Sequence, residues 1–302
     1  MLQIINQATD FERGKEKTVN LNLAICGLAR NVEHSIGKIF EKFEEVKSYF
    51  SEVYVVIVEN DSTDNTKSIL KNWSNTNARH ILISEDLNEN PVNKGPFSEH
   101  RISLMSSFRN KYLKEINKIP GLDYVMMVDL DIFDFSVREI ISTFNHTENW
   151  DVVSANGQNL VLQFAFPVYF DVFALKEIGK NPIEYFDDIV PMQKKYTALC
   201  KRNEWIRVES GFNGLAIYRA ACFNFDIRYE ARISENESEI SVWCEHVSFN
   251  QDLIKAGFNR QFINPGLKVK YLEIDSKIFW SNFYKYFKYL VGTLLNKIKS
   301  KF

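Results

Sequence analysis

The chain has 302 residues, 45% of them hydrophobic and 25% charged, with a formal net charge of −2 at pH 7. That length and composition support a substantial core in one large α/β domain, or one domain with an appendage, and exclude extensive disorder. A chain this close to neutrality carries no global signature of a nucleic-acid binder, and no nucleic-acid partner is expected.

The opening segment, MLQIINQATDFERGKEK, is polar and mixed in charge. It lacks the apolar run and small-residue cleavage site of a secretory signal, so export is not indicated and a cytoplasmic location is expected. The four cysteines, Cys26, Cys200, Cys222 and Cys244, form no Cys-x-x-Cys pair. They read as free thiols in a reducing compartment rather than a zinc ribbon or redox pair.

Residues 21–28 (LNLAICGL) form a short apolar run that predicts a buried strand, with Ala29, Arg30 and Asn31 as the loop after it. Ile36, Ile39, Phe40, Phe43, Val46 and Phe50 recur at helical spacing, so a helix follows within residues 32–50. The run 53–58 (VYVVIV) predicts a second strand, closed by the polar turn ENDSTDNT and a helix over 66–73 capped by Ser62 or Thr63. A third strand is expected at 80–84, then a loop with Pro91, Gly95 and Pro96, then a helix over 98–116. Residues 124–128 (YVMMV) predict a fourth strand that ends on Asp129-Leu130-Asp131. Such alternation predicts a parallel doubly wound sheet with ligands at the carboxyl ends of its strands.

Beyond residue 150 the pattern loosens. Strands are expected at 152–155 and 214–218, and residues 160–170 are aromatic and ambiguous. The chain divides into one domain over 1–274 and a tail over 275–302.

Asp129 and Asp131 stand one residue apart at a strand end, where alternation sends both carboxylates to one side of the chain. Paired hard oxygen ligands suit Mn²⁺ or Mg²⁺, which complete their shells with phosphate oxygens and water. Such an ion neutralises charge on a departing diphosphate.

The strand and turn VYVVIVENDSTDNT resemble the Val-Val-Asp-Asp-Gly-Ser-Thr-Asp-Gly-Thr turn of family-2 and related GT-A glycosyltransferases. The resemblance implies a nucleotide-diphosphate sugar donor, and a mixed, mostly parallel GT-A sheet flanked by helices. Glu59 then occupies the position of the acid that bonds the nucleotide base, and Asp61 replaces the usual glycine. Ala29 and Arg30 lie by the nucleotide, and Arg101 or Arg109, on the helix before the metal strand, is placed near the diphosphate. Two later segments, ESGFNGLAIYR and WCEHVSFN, resemble those of capsule-associated α-mannosyltransferases of fungi and related microbial enzymes. That likeness implies His246 as a third metal ligand beside Asp129 and Asp131. Glu245 is implied as a general base, an acceptor guide or a backbone partner, with Asp252 as a second candidate. Gly211, Asn213 and Gly214 either admit the donor sugar close to the backbone or form a tight turn.

Whether the transfer inverts, with a carboxylate taking the acceptor proton, or retains, with the leaving phosphate taking it, is left open. The acceptor expected is a glycan or lipid-linked glycan in surface polysaccharide or lipopolysaccharide synthesis. From Lys277 to Phe302 the chain carries six lysines, no acid and many aromatics. This amphipathic helix suits an anionic membrane surface, or packs on protein instead. The rivals are a sugar nucleotidyltransferase, which would open with a Gly-rich basic loop that LAICGLARN lacks, and a non-catalytic saccharide-binding or scaffold protein of the same fold. No Gly-x-Gly-x-x-Gly supports a dinucleotide oxidoreductase.

Overall fold

The chain opens with helix α1 (Leu2–Thr18), where sequence reading expects only a polar lead, and continues into strand β1 (Asn22–Ala29). There follow α2 (Glu33–Lys47), β2 (Glu52–Asn60), α3 (Thr66–Ser74), β3 (His80–Glu85), α4 (Glu99–Ile116), β4 (Tyr124–Asp129), β5 (Asp134–Phe135) and α5 (Val137–Thr143). The second half comprises β6 (Val152–Asn159), β7 (Val168–Tyr169), β8 (Leu175–Lys176), α6 (Ile189–Cys200), β9 (Ile206–Val208), β10 (Ser210–Gly211) and β11 (Leu215–Arg219). Helix α7 (Glu245–Lys255), β12 (Gln261–Lys270) and α8 (Ser276–Lys299) close the chain. This computed structural model describes residues 2–88, 95–147, 149–161, 163–224, 226–273 and 276–299. Pro91, the 274/275 division and the last three residues of the tail lie outside them.

The main sheet runs β3-β2-β1-β4-β11-β6-β12-β5. Strands β3, β2, β1 and β4 are mutually parallel, as the strand–helix alternation predicts. The fully parallel expectation then fails at β11, which runs antiparallel between β4 and β6, while β12 is parallel to β6. Chain order explains this: β11 enters after a long excursion, so no right-handed helical crossover fixes its direction. The result is a mixed parallel and antiparallel sheet flanked by helices.

Alternating side chains build two cores. On one face Ile25, Val55, Ile57, Met126 and Val128 pack against Ile36, Ile39, Phe43 and Val46 of α2. On the other, Cys26, Val56, Val58 and Met127 meet Phe108 and Tyr112 of α4 and Val247 and Phe249 of α7. Strands covered on both faces must be apolar at every position, which is why VYVVIV and YVMMV are runs rather than alternations. All four cysteines are free, and Cys26, Cys222 and Cys244 are buried.

Two loops at the carboxyl ends of β1 and β2 are braced to each other. Asn31 and Asp61 both adopt the left-handed conformation that a tight turn requires, at φ 52° and 50°. Asn31 N–H donates to Ser62 Oγ at 3.1 Å, and Thr63 N–H donates to Asn31 Oδ1 at 2.8 Å. The first N–H groups of α2 are satisfied across the gap: Val32 donates to Thr66 Oγ1 at 2.9 Å and Glu33 to Asp64 Oδ2 at 3.2 Å. The expected cap of α3 by Ser62 or Thr63 does not form; Asp64 Oδ1 accepts from Thr66 N–H at 3.0 Å. Ser62 is instead spent on the loop bracing and Thr63 on Asn31.

Candidate active site

A cavity of about 360 Å³ opens over the carboxyl ends of β1, β2 and β4, where parallel strands leave the sheet. Ala29 and Arg30 from β1 and its loop, Asn60 from β2, Asp129 at the end of β4 and Asp131 in the turn after it line its floor. Arg101 and Arg109 on α4 form one wall, and Phe170, Asp171, Phe212, Glu245, His246 and Tyr271 complete it. Register places these groups: Leu28 pairs with Asp129 across β1 and β4, and Asp129 N–H donates to the Gly214 carbonyl at 2.9 Å. Gly214 is at φ 82°, and a Cβ there would stand 2.9 Å from Val269 and 3.0 Å from the Tyr271 hydroxyl. Only glycine closes this turn beneath the end of β4.

Arg109 is the electrostatic centre. It is only 4% exposed, and its Nε donates to Glu245 Oε1 at 3.0 Å while a terminal nitrogen reaches Asp129 Oδ1 at 3.4 Å. The other terminal nitrogen donates to the Tyr112 hydroxyl at 3.3 Å. Desolvation pushes the Asp129 carboxyl up to about 7; Arg109 opposes the shift, and Asp131, Asp171 and Glu245 reinforce it. Asp131 stands open at the cavity mouth, yet the surrounding protein still desolvates it and raises its pKa against the nearby Arg109 and Arg101. Two carboxylates held this way, facing one cavity, are stabilised in ionised form by a cation.

The donor set fits a divalent ion. Among the described residues no three His, Cys, Asp or Glu side chains converge into an all-protein cage. Mg²⁺ and Mn²⁺ do not demand one, because one or two carboxylates suffice when phosphate and water supply the remaining oxygens. His246 lines the same cavity, is 1% exposed, and among the described residues has no hydrogen-bond partner at either ring nitrogen. Its ring stacks on Phe212 at 3.7 Å, and burial, with Arg109 nearby, lowers its pKa and keeps it neutral.

Other predicted residues lie elsewhere. Glu59 is fully buried, with Oε1 accepting from Ser62 N–H at 2.9 Å and Oε2 from the Ser84 hydroxyl. Its neighbour Asn60 faces the cavity instead, as strand alternation requires. Asp61 accepts from the N–H groups of Leu87 and Asn88, both at 2.8 Å. Asn213 is buried, joining the Gly157 carbonyl at 3.1 Å to the Asp171 N–H at 3.2 Å. The structure does not bring Asp252 to the cavity; it pairs with Arg232 and, at 3.1 Å, with Lys255. Sequence reasoning missed Asn60, Asp171 and Tyr271. Alternation along β2 could have found Asn60, whereas no local motif marks Asp171 or Tyr271.

Comparison with known proteins adds three findings. The model of the family described as Cryptococcal mannosyltransferase 1 matches residues 23–252. No curated protein matches the sequence. Among solved structures, TarS (residues 1–349) of S. aureus shares 17% identity, with 83% of this chain and 60% of that one covered and a TM-score of 0.43. The mannosyltransferase PcManGT of Pyrobaculum calidifontis, solved with GDP-Man and Mn²⁺, shares 14% over 87% of this chain and 64% of that one, at a TM-score of 0.46. Mannosyl-3-phosphoglycerate synthase of Rubrobacter xylanophilus shares 13% over 95% and 78%, at 0.46. The chain thus spans under two thirds of the length of the first two.

Proposed function

Because the chain belongs to the cryptococcal mannosyltransferase 1 family, we propose that it transfers a hexose, mannose by that kinship, from a nucleotide-diphosphate sugar to a saccharide or lipid-linked glycan in surface polysaccharide synthesis. The observation that carries this reading is the pair Asp129 and Asp131, with raised pKa values, facing a cavity at the strand ends. Asp129 and Asp131 would hold Mn²⁺ or Mg²⁺, which supplies Lewis-acid neutralisation of the diphosphate, whereas His246, expected as a third ligand, is not gathered with them into a three-residue metal cluster among the described residues.

The chain's own residues do the rest. Ala29 and Asn60 border the nucleoside, and Arg30 and Arg101 at the rim offer charge-assisted bonds to phosphate oxygens. Arg109 holds Asp129 and Glu245 in fixed orientation. Glu245 has both oxygens engaged, by Arg109 and by the Cys244 thiol at 3.5 Å, which suits it to hold the guanidinium rather than to take a proton. That favours a transfer in which the leaving phosphate accepts the acceptor's proton. The test is release of nucleoside diphosphate from GDP-mannose and other nucleotide hexoses in the presence of Mn²⁺ and a saccharide acceptor. Turnover of one donor supports the reading, and no release from any donor counts against it.

Residues 1–274 would form the catalytic unit, with 275–302 as an appendage that meets a membrane surface. Helix α8 is tied to the body where Asn282 donates to the Phe164 carbonyl at 3.0 Å and Phe279 meets Phe166 at 5.8 Å. Beyond that contact Trp280, Phe283, Tyr284 and Phe287 are exposed among lysines. Among the described residues no helix is long and apolar enough to cross a membrane, so the face is read as interfacial. Co-sedimentation with phosphatidylglycerol vesicles, and its loss in a Phe283→Asp, Phe287→Asp variant, is the expected result.

A further inference from the structure

We propose that Asp171 reads the donor sugar, its second carboxylate oxygen accepting hydrogen bonds from hexose hydroxyls in the cavity. The assignment rests on the glycosyltransferase reading above. Asp171 follows β7 and lines the cavity across from the strand ends. Its Oδ1 accepts from the N–H groups of Phe173 at 3.0 Å and Ala174 at 3.1 Å, which fixes the plane of the carboxylate. Its own N–H donates to Asn213, which is anchored in turn on Gly157, where any Cβ would stand 2.2 Å from Asn213 Oδ1. A side chain held from both directions is preorganised for a ligand.

Among the described residues no protein donor reaches the second oxygen. Two other carboxylates here are committed, Glu245 to Arg109 and Cys244 and Asp129 to Arg109, and the proposed function gives Asp129 and Asp131 to the cation. An acceptor-only group cannot face a diphosphate without repulsion, but it matches a ligand part that presents O–H donors. Phe170, Phe173 and Phe212 line the cavity with it, and apolar walls with a few fixed polar groups suit a sugar ring. On the same cavity, among the described residues, neither ring nitrogen of His246 has a hydrogen-bond partner.

The test is calorimetric titration of wild type and Asp171→Asn, in Mn²⁺, with GDP and with GDP-mannose, and with UDP and UDP-glucose. Asn keeps the Oδ1 acceptor, so the fold is expected to survive, as an unchanged thermal midpoint would show. The variant should bind the nucleoside diphosphate within about twofold of wild type, yet lose about tenfold or more for the sugar nucleotide, the effect of deleting one charged hydrogen bond. Equal weakening of both ligands, or an unchanged sugar affinity with only a lower kcat, overturns the assignment. Deoxy-sugar donors tested on wild type alone give a second reading: at least one missing hydroxyl should cost a similar factor, and indifference to every one refutes the proposal. If wild type binds none of the four nucleotides, the donor-site reading itself falls and takes this assignment with it.

Discussion

Replacing Arg109 by Met strands two carboxylates that the guanidinium now holds. The side chain is 5% exposed, its Glu245 partner equally so, and the Nε–Oε1 separation is 3.0 Å. Breaking a buried pair by removing one partner costs about 3–5 kcal/mol, because the remaining charge is left uncompensated. At about 2–4 °C per kcal/mol for domains somewhat smaller than this chain, the midpoint should fall by roughly 6–20 °C. Arg109→Lys should recover only part of that, since one ammonium cannot present a fork to Glu245 and Asp129 together. The sign of the pH dependence is fixed by Asp129. Its folded pKa is already raised, and losing Arg109 removes an opposing influence and raises it further. A raised carboxyl penalises the fold as pH climbs from the unfolded value of about 3.9 through the folded one. Scanning calorimetry should therefore find the Met variant's deficit larger at pH 7.5 than at pH 5. A deficit under about 1 kcal/mol, or one larger at pH 5, would refute the reasoning.

In metal-free buffer Asp129→Asn should be more stable than wild type at pH 8 and lose that advantage near pH 4, because the wild-type carboxyl, pushed up to about 7, is protonated there; identical urea midpoints at both pH values would contradict this. Gly157→Ala drives a Cβ into Asn213 and should cost about 1–3 kcal/mol in urea unfolding, whereas a neutral result would mean that Asn213 is free to move. Thr66→Val removes the acceptor of the Val32 N–H at a fully buried site and should cost about 1–3 kcal/mol by the same assay, with no loss if the two loops are not coupled.

The parallel half of the sheet was legible because strands buried on both faces must be written as apolar runs, and the helices between them carry a 3.6-residue period. Strand alternation placed Asp129 and Asp131 on one side, but only the resemblance pointed to Arg109, and it set that side chain by the diphosphate, whereas the structure engages it with Glu245 and Asp129. What could not be read is what depends on distant pairing. The direction of β11 is set by its place between β4 and β6, and the bond from Arg109 to Glu245 spans 136 residues. Glu59 and Asn60 show the limit of motif matching: the acid at the expected position turns inward to Ser62 and Ser84, and its amide neighbour faces the cavity. Asp171 directly follows the aromatic stretch 160–170, which has no period, and its bonds to Asn213, Phe173 and Ala174 give it a fixed place.

The most direct test of the donor-site reading is calorimetric titration of GDP and UDP into wild type and Asp131→Ala, each with and without Mn²⁺. The account predicts that one nucleotide binds wild type only when Mn²⁺ is present, and that Asp131→Ala, still folded, abolishes that binding. Binding that needs neither the metal nor Asp131, or no binding by folded wild type under any condition, would contradict it.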